Sequence, residues 1–543
     1  MVLHFTLSHY MKHRLLLFAV VLLLSIAGQA QTKTTKVDLT WGEEQSTSRR
    51  VVMDDIIGSD EEGIYIIKRT PRGETPILIE SYGNDMLLKK SVAVPLGEKR
   101  ESRVYQYATQ IDGELILFST LLDNRSKVNM LFAQTIHKKT LNLSSKLTKI
   151  GAIEYDGRSK RNSGSFTYTI SNDEKRILIY YNLPQERDEN EKFSYHILDK
   201  DLNLLWEKKI TLPYENELFS VVDYDIQENG DLYLLSKIFK DKAKAIRKGK
   251  PNYQYQIIAY TDQGENKIEY PVNLEDKFLI DMKIAIHLDG DIICGGFYSD
   301  NGTTTISGSY FLKIDESTKS IVSKSFKEFE LDFITQNMTD KDKRRTQKRK
   351  AKGKEVDLFQ YGLEDIVLKE DGGAILIGEQ YFVRVVTTTD GQGNVSTSYH
   401  YFYNDILVLN INADGEIEWA EKIAKRQHTV NDGGYFSSYA LAITGDKINF
   451  IFNDNAKNLA SSKMTRGKAK GVVYEFTKNN RTSVAVLVQI DGDGRQVKEA
   501  LFNAKDSKLL IRPKVAEQVS DYDMVIYGQK RKTERFGKIT FKP

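Results

Sequence analysis

The stretch DGELILFS, from Asp112 to Ser119, shows the pattern that decides the fold, a two-residue Asp-Gly turn followed at once by an apolar run. Asp-Gly and Asn-Gly supply the positive φ angles that two-residue hairpin turns need. The pattern recurs with turns at Glu62-Gly63, Asp112-Gly113, Asn172-Asp173, Asn229-Gly230, Asp289-Gly290, Asp371-Gly372, Gly445-Asp446 and Ser520-Asp521. The turns are roughly 50 to 80 residues apart, a spacing typical of repeats that each form a small antiparallel sheet.

A second tight turn closes most of these repeats. These turns lie at residues 82–85, 137–140, 199–202, 261–264, 315–318, 412–415 and 491–494. Two hairpins per repeat predict seven complete four-stranded units and an eighth with three strands, near 510–516, 523–528 and 535–541. The segment from Lys36 to Thr40 is expected to supply the missing strand, because joining the two termini in one sheet removes two open sheet edges.

These repeats predict an all-β protein that forms a single β-propeller of eight four-stranded blades, closed by pairing of its N- and C-terminal strands. Seven blades are the alternative, if the C-terminal strands belong to an extended or imperfect blade. No segment of helical period alternates with the strands, which disfavours a parallel α/β fold. Two stacked β-domains are the main competing architecture, but the chain has no Pro/Gly/Ser-rich linker between them.

The N-terminus has the three zones of a secretory signal peptide. A basic stretch, Met11 to Arg14, precedes an apolar run from Leu15 to Ala27, and small residues follow at positions 28 and 30. The run is shorter than the ~20 residues that span a bilayer, and no later segment is apolar enough to cross a membrane. We therefore predict a signal peptide over 1–30, with Met11 as an alternative start, and a propeller domain over 31–543.

The cysteine content indicates a bacterial envelope protein. Cys294 is the only cysteine, so no internal disulfide can form, whereas secreted eukaryotic domains of this size usually carry several. The expected location is the periplasm or the outer surface of a Gram-negative bacterium. Cys294 lies in an apolar strand, where a buried, inert thiol is expected.

Two of the closing hairpins carry a tryptophan. DKDLNLLWEKK, residues 199–209, and NADGEIEWAEK, residues 412–422, share an acidic turn, Trp206 or Trp419 a few positions later, and a basic residue after it. The pattern resembles the tryptophan-docking motif of quinoprotein-like propellers, a group that includes quinone dehydrogenases and an outer-membrane assembly scaffold. The resemblance implies blade architecture only. The vicinal cysteine pair of quinone dehydrogenases is absent, and no cofactor is predicted.

Propeller connectivity predicts which loops share a face. The tight turns all fall on one face, the bottom, whereas every long insertion falls on the other, the top. The insertions span 184–192, 240–253, 331–357, 387–396 and 455–471. A short-looped bottom face and an elaborated top face are typical of a scaffold that presents a binding surface.

Three of the insertions are strongly basic, although the whole chain has a net charge of only +3. The candidate anion-binding residues are Lys240, Lys242, Lys244, Arg247, Lys248, Arg344, Arg345, Lys348, Arg349, Lys350, Lys463, Arg466 and Lys468. Basic residues gathered on one face can attract an anionic glycan, lipopolysaccharide or acidic protein. The alternative interpretation is a set of solvated loops. Nucleic acid is not a predicted partner, because the protein is expected to be exported.

No catalytic, metal or cofactor site is predicted from local motifs. The five histidines after the predicted signal peptide lack metal-ligand spacing, and GxSxG, P-loop and CxxC patterns are absent. Asp491-Gly-Asp-Gly and Asn453-Asp-Asn455 resemble fragments of calcium loops but do not continue to the acidic residue that a full loop needs. The sequence therefore favours a non-enzymatic binding or scaffold protein. The alternative is a secreted carbohydrate-active hydrolase or lyase with a cross-blade active site.

Overall fold

The structure is a computed structural model. It describes residues 34–47, 51–70, 76–98, 101–155, 163–184, 188–242, 246–247, 250–272, 277–287, 290–300, 302–354, 356–460, 473–478 and 481–543. The predicted signal peptide lies outside the described residues. No helix in the described ranges is long and apolar enough to span a membrane.

In the described part of the chain, eight antiparallel sheets, each with four main strand positions, form the blades of a propeller, as predicted. Each of the first seven runs in chain order from the innermost to the outermost strand. Blade 1 comprises β3 Val52–Asp60, β4 Gly63–Arg69, β5 Ile77–Tyr82 and β6 Leu88–Val94, and blade 2 comprises β7 Val104–Ile111, β8 Glu114–Asp123, β9 Val128–Ile136 and β10 Thr148–Glu154. Blade 3 comprises β11 Phe166–Ile170, β12 Ile177–Asn182, β13 Asn190–Leu198 and β14 Leu204–Glu215, and blade 4 comprises β15 Phe219–Ile226, β16 Leu232–Phe239, β19 Tyr253–Thr261 and β20 Asn266–Val272.

The remaining blades follow the same plan. Blade 5 comprises β21 Phe278–Ile286, β22 Ile292–Ser299, β24 Gly308–Asp315 and β25 Ser320–Glu328. Blade 6 comprises β27 Tyr361–Leu368, β28 Ala374–Thr389, β29 Val395–Ile411 and β30 Ile417–Ile423. Blade 7 comprises β32 Ala440–Thr444, β33 Lys447–Asn455, β34 Ser483–Ile490 and β35 Gln496–Asn503. Middle strands are apolar on both faces because a neighbouring blade covers each face, and β22 and β34 are buried along their whole length.

Blade 8 contains both ends of the described chain. Its strands are β36 Leu510–Ile511 with β37 Glu517–Gln518, then β38 Asp523–Lys530, β39 Thr533–Phe541 and β1 Val37–Trp41. β1 pairs antiparallel with β39 from Val37 opposite Phe541 to Trp41 opposite Gly537, and β2 Gln45–Ser46 extends this pairing. The predicted closure by the N-terminal segment is therefore confirmed.

Apolar clusters fill all eight interfaces between neighbouring blades. The cluster between blades 7 and 8 includes Val37, Ile451 and Ile539, and the cluster between blades 8 and 1 includes Ile64 and Val525. Because the last interface is packed like the others, the ring is closed by a hydrophobic core as well as by strand pairing.

The top face carries the elements that lie outside the blades. Among the described residues, these elements include the short helices α1 Leu331–Thr335, α2 Asp340–Lys350, α3 Lys457–Ala460 and α4 Ala504–Ser507 and the 3₁₀ turn Asn216–Leu218. A second 3₁₀ turn, Pro513–Val515, instead interrupts the inner strand of blade 8 between β36 and β37. Short strand pairs are formed by β17 Ile246–Arg247 with β18 Lys250–Pro251 and by β23 Thr305–Ile306 with β26 Leu358–Phe359, and β31 Gln427–Val430 pairs with β29. The insertion at 331–357, expected as a loop, contains two of the helices.

Candidate functional site

The most basic predicted tract forms a helix on the top face. Thr339 caps α2, where its side chain accepts a hydrogen bond from the backbone N–H of Asp342. The preceding segment is anchored, because Phe329 and Ile334 are buried in the cluster between blades 5 and 6. The helix is therefore held at a defined place on the blade core, although none of its own residues is buried.

Five candidate residues predicted from this tract, Arg344, Arg345, Lys348, Arg349 and Lys350, lie in α2 and are exposed. Within the described part of the chain, none of them forms an ion pair. Their shared exposure on one short helix leaves a concentrated positive charge facing solvent, which can attract an anionic partner.

The other two predicted tracts are described only in part. Lys242 forms ion pairs with Asp188, Glu215 and Glu217, and these carboxylates hold its pKa well above the usual value. The charge of Lys242 is therefore balanced locally. Of the remaining candidates in this tract, Lys240 lies among the described residues. Arg247 lies in β17, for which only the backbone is described. Lys244, Lys248, Lys463, Arg466 and Lys468 lie outside the described residues.

The wall of the central channel carries several carboxyls close to Lys283, which local motifs did not indicate. Its wall is the ring of innermost strands, and four of them share a β-bulge followed by an aspartate: Asp55, Asp223, Asp281 and Asp365. Burial raises the pKa of each of these carboxyls, with that of Asp55 at about 6. The repeated position of the aspartates shows that the blades share an inner-strand motif as well as their turns.

The side chains of these aspartates accept hydrogen bonds from backbone N–H groups. Asp281 accepts hydrogen bonds from the backbone N–H of Met282 at 3.0 Å and from that of Leu363, in the inner strand of the next blade, at 2.9 Å. Asp55 and Asp223 likewise accept from the residue that follows each of them. A carboxylate is well suited to the N–H groups that a bulge leaves without a ladder partner, so this motif links neighbouring inner strands.

A cavity of about 540 Å³ opens at the bottom end of the channel. Its lining includes Ser59, Gln110, Glu174 and Glu517. The side chain of Glu517 is exposed to the cavity, but partial desolvation there, followed by the nearby charges of Asp55 and Glu174, raises its pKa to about 7. This carboxyl therefore gains or loses its proton near neutral pH, a property shared by general acids.

Two histidine side chains lie side by side where the long β28–β29 hairpin pairs with β31. His400 belongs to β29 and His428 to β31. His400 Nδ1 lies 2.9 Å from His428 Nε2, and Glu475 lies 3.6 Å from His428 Nδ1. Strand pairing between β29 and β31 brings the histidines together, so their sequence spacing gave no sign of it. Across the described ranges, no group of three or more His, Cys, Asp or Glu side chains is arranged to hold a metal ion.

The two hairpin tryptophans pack against the following blade. The indole N–H of Trp419 donates to the carbonyl of Gly492 at 2.8 Å, and a Cβ on Gly494 would lie 2.9 Å from the indole ring. Trp206 packs in the same way on the turn at Gly264. Both tryptophans therefore dock one blade onto the next. Cys294 is fully buried, and burial raises the pKa of its thiol to about 12.

Comparisons with known proteins do not assign a family. No family model matches this chain, and no curated protein matches it significantly. Among solved structures, the WD40 domain of SCAP from fission yeast is 8% identical, covering 94% of this chain and 96% of its own, with a TM-score of 0.39. The propeller domain of the Trilobed protease from Pyrococcus furiosus is 12% identical, covering 84% and 99%, with a TM-score of 0.33.

A third similar structure is the polysaccharide lyase Uly1. It is 12% identical, covering 93% of this chain and 99% of its own, with a TM-score of 0.33. At this level of identity and superposition, the activities of these proteins carry no argument about the present chain.

Proposed function

We propose that this protein is an exported, non-enzymatic scaffold of a Gram-negative envelope, located in the periplasm or at the outer membrane. Its rigid ring presents the top face to an anionic partner, which is an acidic protein, an acidic glycan or lipopolysaccharide. The observation that supports the proposal is α2, an exposed basic helix anchored on the core and without ion pairs among the described residues.

The difference between the two faces supports the same function. Tight turns occupy the bottom face, whereas helices, extra strand pairs and the long hairpin are all added to the top. Loops on a rigid framework can diversify without loss of the core, which is how scaffolds usually acquire binding surfaces. A related proposal is kinship with quinoprotein-like propellers, supported by the docked Trp206 and Trp419.

The test is retention of purified protein on immobilised heparin and on immobilised lipopolysaccharide. The variant replaces Arg344, Arg345, Lys348, Arg349 and Lys350 with Gln. We expect earlier elution in salt for this variant and an unchanged melting temperature, because no residue of α2 is buried.

A matched control removes the same charge elsewhere. It replaces five lysines of the outer strands and bottom turns with Gln: Lys139, Lys146, Lys149, Lys319 and Lys324, all exposed. If both variants elute at the same salt concentration, α2 acts only through net charge and the proposed face is wrong. A pull-down with the tagged mature protein from envelope extract then identifies the partner class.

The cavity at the bottom of the channel favours a second candidate, a carbohydrate-active hydrolase or lyase. Glu517 and Asp55 are two interacting carboxyls with raised pKa values, an arrangement that can supply a general acid. Turnover of a panel of glycans that is lost in Glu517→Gln, while α2 variants keep it, would support the enzyme instead of the scaffold.

A further inference from the structure

A second basic surface lies on the top face where blade 8 meets blades 7 and 1, away from the predicted tracts. It is a cavity of about 990 Å³, which we call the blade 8 groove. Its lining residues are Glu44, Thr47, Val52, Lys505, Lys508, Gln529, Lys530, Arg531, Lys532 and Thr533. The groove is therefore built from α4 and its C-cap, the β38–β39 turn and the segment after β1.

The groove continues into a second cavity. That cavity has a volume of about 490 Å³ and shares Gln529, Lys530 and Arg531 with the first. It adds Lys478, which is paired with Asp432, and Arg481. Together the two cavities are large enough for a ligand with several charged groups, since ligand sites typically measure about 300–1,000 Å³.

The five cations of the groove, Lys505, Lys508, Lys530, Arg531 and Lys532, form no ion pair in the described part of the chain. Glu44 is the only acid among the lining residues. Burial, followed by the charges of Arg531 and Lys508, lowers the pKa of Lys530. Lys530 is thus close enough to Arg531 and Lys508 to be repelled by them, and a bound anion would relieve that repulsion.

Two of the cations have a left-handed backbone conformation, which is unfavourable for their residue types. Lys508, which caps α4, has φ of 57°, and Arg531, in the β38–β39 turn, has φ of 53°. Glycine or asparagine is favoured in this left-handed region. Replacing either cation with Asn therefore removes charge without adding backbone strain.

We propose that the blade 8 groove binds a ligand that carries clustered phosphate groups. Each phosphomonoester brings about −1.5 to −2 charges at neutral pH, so two or three of them balance the five cations within one cavity. A uronic acid chain carries only one charge per carboxylated sugar and leaves most of the cations unbalanced. Lysine binds phosphate well as a point charge, without the bidentate geometry that arginine provides.

The test measures binding of soluble tripolyphosphate by calorimetry and of vesicles by cosedimentation. The vesicles consist of phosphatidylcholine alone or with phosphatidic acid, and polygalacturonate serves as the carboxylated polymer. The groove variant combines Lys505→Gln, Lys508→Asn, Arg531→Asn and Lys532→Gln. The matched control removes four exposed charges away from the top face instead, through replacement of Lys139, Lys146, Lys149 and Lys319 with Gln.

We expect the groove variant to lose affinity for tripolyphosphate by at least about tenfold, and the control by about twofold or less. A groove-dependent loss seen only with phosphatidic acid vesicles would support the same chemistry in a lipid headgroup. Equal losses in the two variants, absence of binding to every phosphate probe, or equal affinity for polygalacturonate would each overturn the proposal.

A single substitution that should raise the affinity keeps the test valid even if the groove variant, which carries four substitutions, misfolds. Glu44 is exposed, so Glu44→Gln should fold normally and bind tripolyphosphate more tightly than the unmodified protein. Weaker or unchanged binding by Glu44→Gln would contradict the groove as the site. Because the groove and α2 share no residue and are tested with separate variants, failure of one proposal does not imply failure of the other.

Discussion

At the scale of single residues, the contacts between blades depend on glycine as much as on tryptophan. Gly494 has φ of 80°, and its missing side chain leaves room for the indole of Trp419. Gly372 has a similar φ of 84° in another tight turn, but no atom lies within 4 Å of the place where its Cβ would be. Both positions therefore require glycine for its left-handed backbone, but only Gly494 is also required for close packing.

We expect Gly494→Ala to destabilise the protein more than Gly372→Ala does. Both substitutions strain the backbone, whereas only the first forces the indole of Trp419 to move. Overpacking of this kind costs about 1–3 kcal/mol. Urea unfolding of the two variants measures the difference, and equal free energies of unfolding would show that Trp419 does not dock tightly.

At the scale of elements, β1 is the strand on which closure of the ring depends. Val37 is 2% exposed and packs with Ile539 and Phe541, whereas Asp38 points to solvent. The hydroxyls of Thr34 and Thr35 also donate to the carboxylate of Glu499 in blade 7, at 2.6 and 3.0 Å. The N-terminal segment thus stabilises two blades at once.

Deletion of residues 31–40 should lower the melting temperature of the whole domain. The deletion opens one edge of β39 and exposes Ile539 and Phe541, and loss of a buried aliphatic side chain such as Val37 alone costs about 1.5–3 kcal/mol. Circular dichroism during heating measures the effect, with Asp38→Ser as the control. An unchanged melting temperature would mean that β1 does not close the ring.

At the scale of the whole molecule, the top of the ring carries positive charge in α2 and the blade 8 groove, whereas the channel wall carries carboxyls. Burial raises the pKa of Asp55 and Asp225 to about 6 and that of Glu517 to about 7. A group with a raised pKa in the folded state binds its proton more tightly there than in the unfolded chain. Such groups stabilise the fold at low pH, and this contribution is lost as pH rises.

The pH window for Glu517 runs from 4.5, the ordinary pKa of a glutamate, to its raised pKa of about 7. We expect Glu517→Gln to match the unmodified protein near the lower end of this window and to be more stable at pH 8, by about 1 kcal/mol or less, because solvent screens this exposed carboxyl. Urea unfolding at both pH values measures this difference, with the exposed Glu228→Gln as the control. A stability difference that does not change with pH would show that Asp55 and the cavity do not raise the pKa of Glu517.

The sequence by itself determined the blade architecture and the closing strand. Turn chemistry and strand alternation are local properties, so they can be read along the chain without knowledge of distant contacts. The helix α2 also had a local sign, Thr339 followed three residues later by Asp342, which the basic composition of the tract obscured.

Only the tertiary structure decided which charged residues act together. Glu44 and Lys532 are far apart in sequence, and ring closure alone places them in one groove. The link from Asp281 to Leu363 likewise depends on the packing of one blade against the next. A single lysine or aspartate looks the same in the sequence whether it is solvated or gathered with others, because its electrostatic role depends on neighbours that folding brings near.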